Sequence, residues 1–124
     1  MITVSATKPI VHLHLDPMRK IETSMIAAMR SRSELKKDNT QVLQEESGYG
    51  EVRLFGNIIC RFNYNRGIIS FDDCGYRTAT TKSRLNAIIH AFTKPGQGIY
   101  QKDSKWFWKD GEEWDGGGMA RFLV

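Results

Sequence analysis

The stretch DDCGYRTATTKSRLNAIIHAF, residues 72–92, decides how the chain folds. Leu85, Ile88, Ile89 and Phe92 fall at i, i+3, i+4 and i+7, the spacing of one apolar stripe on an α-helix. Thr80 or Thr81 supplies the N-cap, since a threonine oxygen can accept from an orphan N–H of the first turn. Pro95-Gly96 ends the helix. The entrance is dense in hydroxyls and cations: Tyr76, Arg77, Thr78, Thr80, Thr81, Lys82, Ser83 and Arg84. Lys82 and Arg84 fall in the first turn, where the macrodipole is positive and an exposed cation costs about 0.3–1 kcal/mol. Cations beside free helix N–H groups form an anion site. The structural alternative is that both side chains bend into water, or that the cluster pairs with Asp72 and Asp73.

Outward from this stretch, 124 residues make one domain able to bury a core without staples. With 40% hydrophobic and 26% charged residues the chain is globular rather than disordered. A net charge of +4 permits a polyanionic partner without requiring one, because 14 acids are mixed among 18 bases. Two cysteines, Cys60 and Cys74, are too few for a disulfide scaffold. With no signal peptide visible, reduced thiols in a cytosol are the simpler reading. No apolar run approaches the roughly 20 residues that span a bilayer, so no membrane partner is expected.

On the N-terminal side, residues 1–17 are either an edge strand built on Val11, Leu13 and Leu15 or a loosely attached extension. His12 and His14 would share one face of that strand, but no third ligand is near and no metal is expected. Asp16-Pro17 opens a first helix, an N-cap followed by proline at the first helical position. Its stripe is Met18, Ile21, Met25, Ala28 and Met29, widened by Ile26. The rest is basic, with Arg19, Lys20, Arg30 and Arg32 continuing to Lys36 and Lys37. A basic amphipathic helix can lie on nucleic acid, and more commonly is a solvated face over a core.

After Asn39 the period changes from 3.6 to 2. Gln41 to Glu45, Glu51 to Phe55, Ile58 to Asn63 and Ile68 to Phe71 form an antiparallel meander with Val52 and Leu54 inward. Gly56-Asn57 joins two of its strands. Its exposed edge carries Arg53, Arg61 and Arg66. Beyond the second helix, Gly98–Lys102 and Lys105–Lys109 form a hairpin around Asp103-Ser104, and Met119–Val124 can pair as a terminal strand. Trp106 and Trp108 share one hairpin face; Phe107, Lys105 and Lys109 share the other. Aromatics flanked by lysines can stack bases. Alternatively, both tryptophans cap the core and Phe107 packs under a loop.

No Walker loop, G-x-S-x-G, H-E-x-x-H, paired C-x-x-C or H-x-E…P-C-x-x-C is present. Adjacent residues on a strand face opposite ways, so neither Asp72-Asp73 nor Glu112-Glu113 converges into a carboxylate pair by itself. These observations point away from an enzyme and from any cofactor.

Five segments carry a resemblance: R-K-I-E-x-x-M at 19–25, N-T-x-V at 39–42, V-R-L-F-G-N-I-I at 52–59, S-x-x-x-C-G-Y-R-T-x-T-T-K-S-R-L-N-A at 70–87, and I-Y-Q-K…W-F-W…E-E-W-D-G at 99–116. The chain resembles a group of small uncharacterised proteins of tailed bacteriophages over about residues 18–116, and T-T-K-x-R-L-N is its specific part. The resemblance implies a phage-encoded protein working in the host bacterial cytosol. It assigns no catalytic residue.

The expected fold is α+β: an antiparallel sheet of about five to six strands with two helices on one face, a single domain over 18–124. The expected function is a non-catalytic accessory protein that binds and modulates a host or defence protein, an anti-CRISPR-type inhibitor being one version. One alternative is a nucleic-acid-binding module using the basic start of the second helix. Another is a small anion or nucleotide pocket at the same place. The candidate contact residues are Tyr76, Arg77, Thr78, Thr80, Thr81, Lys82, Arg84, Lys105, Phe107 and Lys109. The oligomeric state stays open.

Overall fold

A computed structural model describes residues 18–124. The expectations for residues 1–17, including the strand with His12 and His14 and the Asp16-Pro17 helix entrance, lie outside the described residues. Helix α1 spans Lys20–Ser31, followed by strands β1 (Leu35–Lys37), β2 (Thr40–Gln44), β3 (Tyr49–Leu54), β4 (Asn57–Asn63) and β5 (Ile68–Asp72). Helix α2 (Ala79–Phe92), the hairpin β6 (Ile99–Lys102) and β7 (Lys105–Trp108), and β8 (Gly117–Arg121) complete the order. The main sheet is antiparallel throughout, in the order β1-β2-β3-β4-β5-β8. This is the expected α+β fold. The β6–β7 hairpin forms its own two-stranded sheet rather than extending the main one.

The core is built by the predicted stripes. Met25, Met29, Leu85, Ile88, Ile89 and Phe92 are fully buried, against Val42, Val52, Leu54, Ile59, Ile69 and Phe71 of the sheet. Burial of such side chains contributes about 1.5–3 kcal/mol each and pins both helices to one sheet face. Register then determines the opposite face. Gln41 pairs with Arg53, Arg61 with Ser70, and Ser70 with Met119, and cross-strand partners share a face, so these side chains lie on the side without helices.

Several details differ from expectation. Met18 is exposed and precedes α1, so it is not part of the buried stripe. The helix also stops earlier: Arg32 is left-handed at φ 54° and the Ser33 N–H donates to Ala28 O at 2.9 Å, which closes the last turn. Lys36 and Lys37 therefore belong to edge strand β1, not to a basic helix. The β3–β4 turn is Phe55-Gly56, with φ 51° and 82°, one residue earlier than Gly56-Asn57. A register shift at Val52/Arg53 lets consecutive Ile59 and Cys60 both face the core, leaving Ile58 only half-buried. The Asp103-Ser104 turn is as expected, left-handed at both residues.

Trp106, Trp108 and Trp114 cluster where the C-terminal hairpin meets the main sheet. Ring centroids are 6.1 Å apart for Trp106–Trp114 and 5.0 Å for Trp108–Trp114. Trp108 lies on the backbone of Gly118, where an added Cβ would stand 2.6 Å from the indole. That contact requires glycine in β8.

Candidate functional site

The entrance to α2 is organised by Asp73, whose side chain is only 5% exposed. Its Oδ1 accepts from the Gly75 N–H at 2.8 Å, and its Oδ2 from Arg77 Nε at 3.0 Å and Trp114 Nε1 at 2.8 Å. Asp72 Oδ1 accepts from the Cys74 N–H at 2.7 Å. Cys74 and Gly75 are both left-handed, at φ 55° and 81°, and the chain reverses there before entering the helix. The N-cap is Thr78 rather than Thr80 or Thr81. Its Oγ1 accepts from the Thr81 N–H at 3.1 Å, so one of the first turn's orphan N–H groups is already occupied.

The predicted cations do not form one anion-facing cluster. Arg84 is buried, because α2 turns it toward α1. Its Nη1 donates to Glu22 Oε2 at 2.7 Å, its Nε to Thr40 Oγ1 at 3.1 Å and its Nη2 to Asn39 Oδ1 at 3.3 Å. Ser83 Oγ shares the same Glu22 oxygen at 2.6 Å. This corrects the expectation that Arg84 meets solvent, and the partner is Glu22 rather than Asp72 or Asp73. Arg77 is held by Asp73 and lies 5.9 Å over the Trp106 ring. Lys82 Nζ donates to Gln101 Oε1 at 3.1 Å, which ties the helix entrance to β6. Thr81 is buried, Thr80 half-buried, and Thr78 and Tyr76 are exposed.

On the hairpin, Phe107 is half-buried and stacks on Tyr100 at 5.5 Å and 24°. Lys105 and Lys109 are exposed beside it. This group belongs to the hairpin face opposite buried Trp106, which points toward the core beside Arg77.

The feature that residue patterns alone did not bring out is a groove between the β3–β4 turn and the α2 entrance. Phe55 and Tyr76, 71% and 57% exposed, rim a concavity of about 360 Å³ floored by Leu54, Ile59 and Cys74. Phe55 is a bulky residue in a left-handed turn position usually taken by Asn, Asp or Gly. The signal available in the sequence was the phenylalanine itself, placed where a hairpin turn needs a small or polar residue.

Cys74 is the thiol that lines this groove. The Cys74 thiol donates to Ile58 O at 3.1 Å, and burial, followed by the Asp72 and Asp73 charges, raises its pKa. Full burial drives the Cys60 thiol far upward as well. Both cysteines are free. Among the described residues no group of three or more His, Cys, Asp and Glu side chains is disposed to hold a metal, and no helix is long and apolar enough to cross a membrane.

Fold and surface define a small α+β protein with an aromatic-rimmed groove, and the sequence motifs relate it to phage proteins. The chain belongs to the family described as Kyanoviridae Gp96 protein, a cyanophage protein family, whose model matches residues 18–121. Comparison with curated proteins and with solved structures finds no match.

Proposed function

We propose that this phage protein is a non-catalytic accessory factor. It binds a host or defence protein in the infected bacterial cytosol, through the groove rimmed by Phe55 and Tyr76. The observation that carries the reading is Phe55, exposed and left-handed. Neither core burial nor turn propensity accounts for phenylalanine there, whereas an exposed aromatic anchor beside a concave apolar floor is what protein recognition uses. The internal pairing of Arg77 and Arg84 argues in the same direction, since it leaves fewer cations for phosphates than the sequence suggested. Inhibition of the bound protein is one version of this function.

The test is capture from nuclease-treated host lysate by the tagged wild type and by a Phe55→Ser/Tyr76→Ala variant with an unchanged melting curve. A protein retained by the wild type and lost by the variant supports the proposal. The same proteins retained equally by both would refute it.

A second reading rests on the Tyr100–Phe107 stack with Lys105 and Lys109 beside it, a small platform for single-stranded nucleic acid. It predicts binding that falls steeply with salt and is lost in Phe107→Ala.

A further inference from the structure

The two edges of the main sheet are built differently. Edge strand β1 has three residues, two of them lysines, and Asp38 follows it in a left-handed conformation. Short length and lysine are the usual means of keeping an edge from pairing. Edge strand β8 has five residues, Gly117-Gly118-Met119-Ala120-Arg121, with no proline, lysine or register shift. Met119 is 69% exposed, and Leu123 and Val124 just beyond it are also exposed.

The hydrogen-bond parity of β8 is fixed at both ends. The Asp73 N–H donates to Gly116 O at 2.9 Å and the Phe122 N–H to Gly67 O at 2.8 Å. Register is continuous between them, from Asp72↔Gly117 to Ile68↔Arg121. Alternation then makes Gly118 and Ala120 the residues that bond to β5. The N–H and C=O groups of Gly117, Met119 and Arg121 point away from β5, and none bonds to another described residue.

We infer that this edge pairs with the same edge of a second copy of the chain, β8 against β8 antiparallel about a two-fold axis through Met119. Three features select this occupant. In that register the outward groups of Gly117, Met119 and Arg121 meet their counterparts, and each backbone donor finds an acceptor. Met119 meets the second copy's Met119, so the exposed methionine is covered by itself. Arg121 stands opposite the second copy's Gly117, and the register places Asp72 next to Gly117 on the same face. Asp72 is exposed, Gly117 offers no side chain to intervene, and two strand spacings are about 10 Å, within reach of an arginine. The two-fold makes this Arg121–Asp72 contact twice. The result is one continuous sheet through two protomers, an isologous interface that closes on itself.

The test is sedimentation equilibrium of the full chain over a wide concentration range, with backbone deuterium exchange at the two extremes. The expected result is a reversible dimer of the 14.2 kDa chain, with exchange slowed at Met119 and Arg121 when the dimer is populated. Met119→Pro removes an outward N–H without touching the β5 ladder, and is expected to leave only monomer. Arg121→Glu should weaken the dimer by about tenfold, and Arg121→Glu combined with Asp72→Lys should recover most of it. This pair keeps the inference testable if Met119→Pro does not fold. A wild type that stays monomeric at millimolar concentration would overturn it. So would a dimer without slowed exchange in β8, or one indifferent to both Arg121→Glu and Met119→Pro. Monomeric protein whose β8 amides are protected only by an added foreign strand would reassign the edge to another partner and also defeat the proposal.

Discussion

Removing Arg84 is expected to be among the most damaging single changes to the fold. The Arg84–Glu22 pair is closed at 2.7 Å with both side chains 4% exposed, and it joins α2 to α1. Asn39 and Thr40, at the entry to β2, complete the coordination of the guanidinium. Arg84→Met leaves the Glu22 carboxylate buried with Ser83 and the Arg19 N–H as its remaining donors. Breaking a buried pair in this way costs about 3–5 kcal/mol, a large part of the roughly 5–15 kcal/mol that holds a domain folded. With a urea slope of about 2 kcal/mol/M, the midpoint should fall by about 2 M. Glu22→Leu should cost a similar amount. The double variant Glu22→Leu/Arg84→Met removes both charges together and should recover much of the loss, since apolar replacement of a whole buried pair is often neutral. Urea titration followed by circular dichroism measures all four corners of this cycle. A loss below about 1 kcal/mol for Arg84→Met, or strict additivity in the double variant, would refute the argument that the pair is desolvated and coupled.

Other expectations follow from the same geometry. Lys82→Glu should change stability by less than about 1 kcal/mol, because better helix-start electrostatics offset the lost Gln101 contact, whereas Arg84→Glu should unfold the chain; thermal melts of the two distinguish them. Ile88→Ala, at a fully buried position, should cost about 2–5 kcal/mol by denaturant titration. Phe55→Asn should raise stability by about 0.5–1 kcal/mol while weakening partner capture, and a drop in melting temperature would show that the ring contributes to the core instead. Under native conditions Cys60 should resist alkylation and Cys74 should react slowly, both speeding up in denaturant; rapid native labelling read by mass spectrometry would contradict their raised pKa values.

Much of the fold was legible because it rests on local periodicity. The Leu85–Phe92 stripe, the alternating strands and the Asp103-Ser104 turn each carry their signal within a few residues. The end of α1 was harder, since Arg32 is a left-handed residue without glycine's signature, and Lys36-Lys37 suits a solvated helix as well as a lysine-protected edge. The role of Arg84 is illegible for a different reason. Its partner Glu22 is 62 residues away, and no local pattern distinguishes a cation at a helix start facing solvent from one facing a second helix. Asp73 is a similar case: the doublet with Asp72 looks like a strand end, and only the packing of Trp114 makes it the centre of the α2 entrance. The groove was illegible because its floor depends on the register shift that buries Ile59 instead of Ile58, and its rim on the turn falling at Phe55-Gly56.

All three tryptophans of the chain lie between residues 106 and 114, packed together against Asp73 and Gly118. Intrinsic fluorescence excited at the indole band is therefore a local probe: it reports the docking of the C-terminal hairpin and is nearly blind to α1 and β1–β4. Far-ultraviolet dichroism weighs the helices and the main sheet instead. Comparing the two signals in one unfolding experiment asks whether the molecule melts as a unit, and coincident curves would mean that the hairpin and the six-stranded sheet share one cooperative transition.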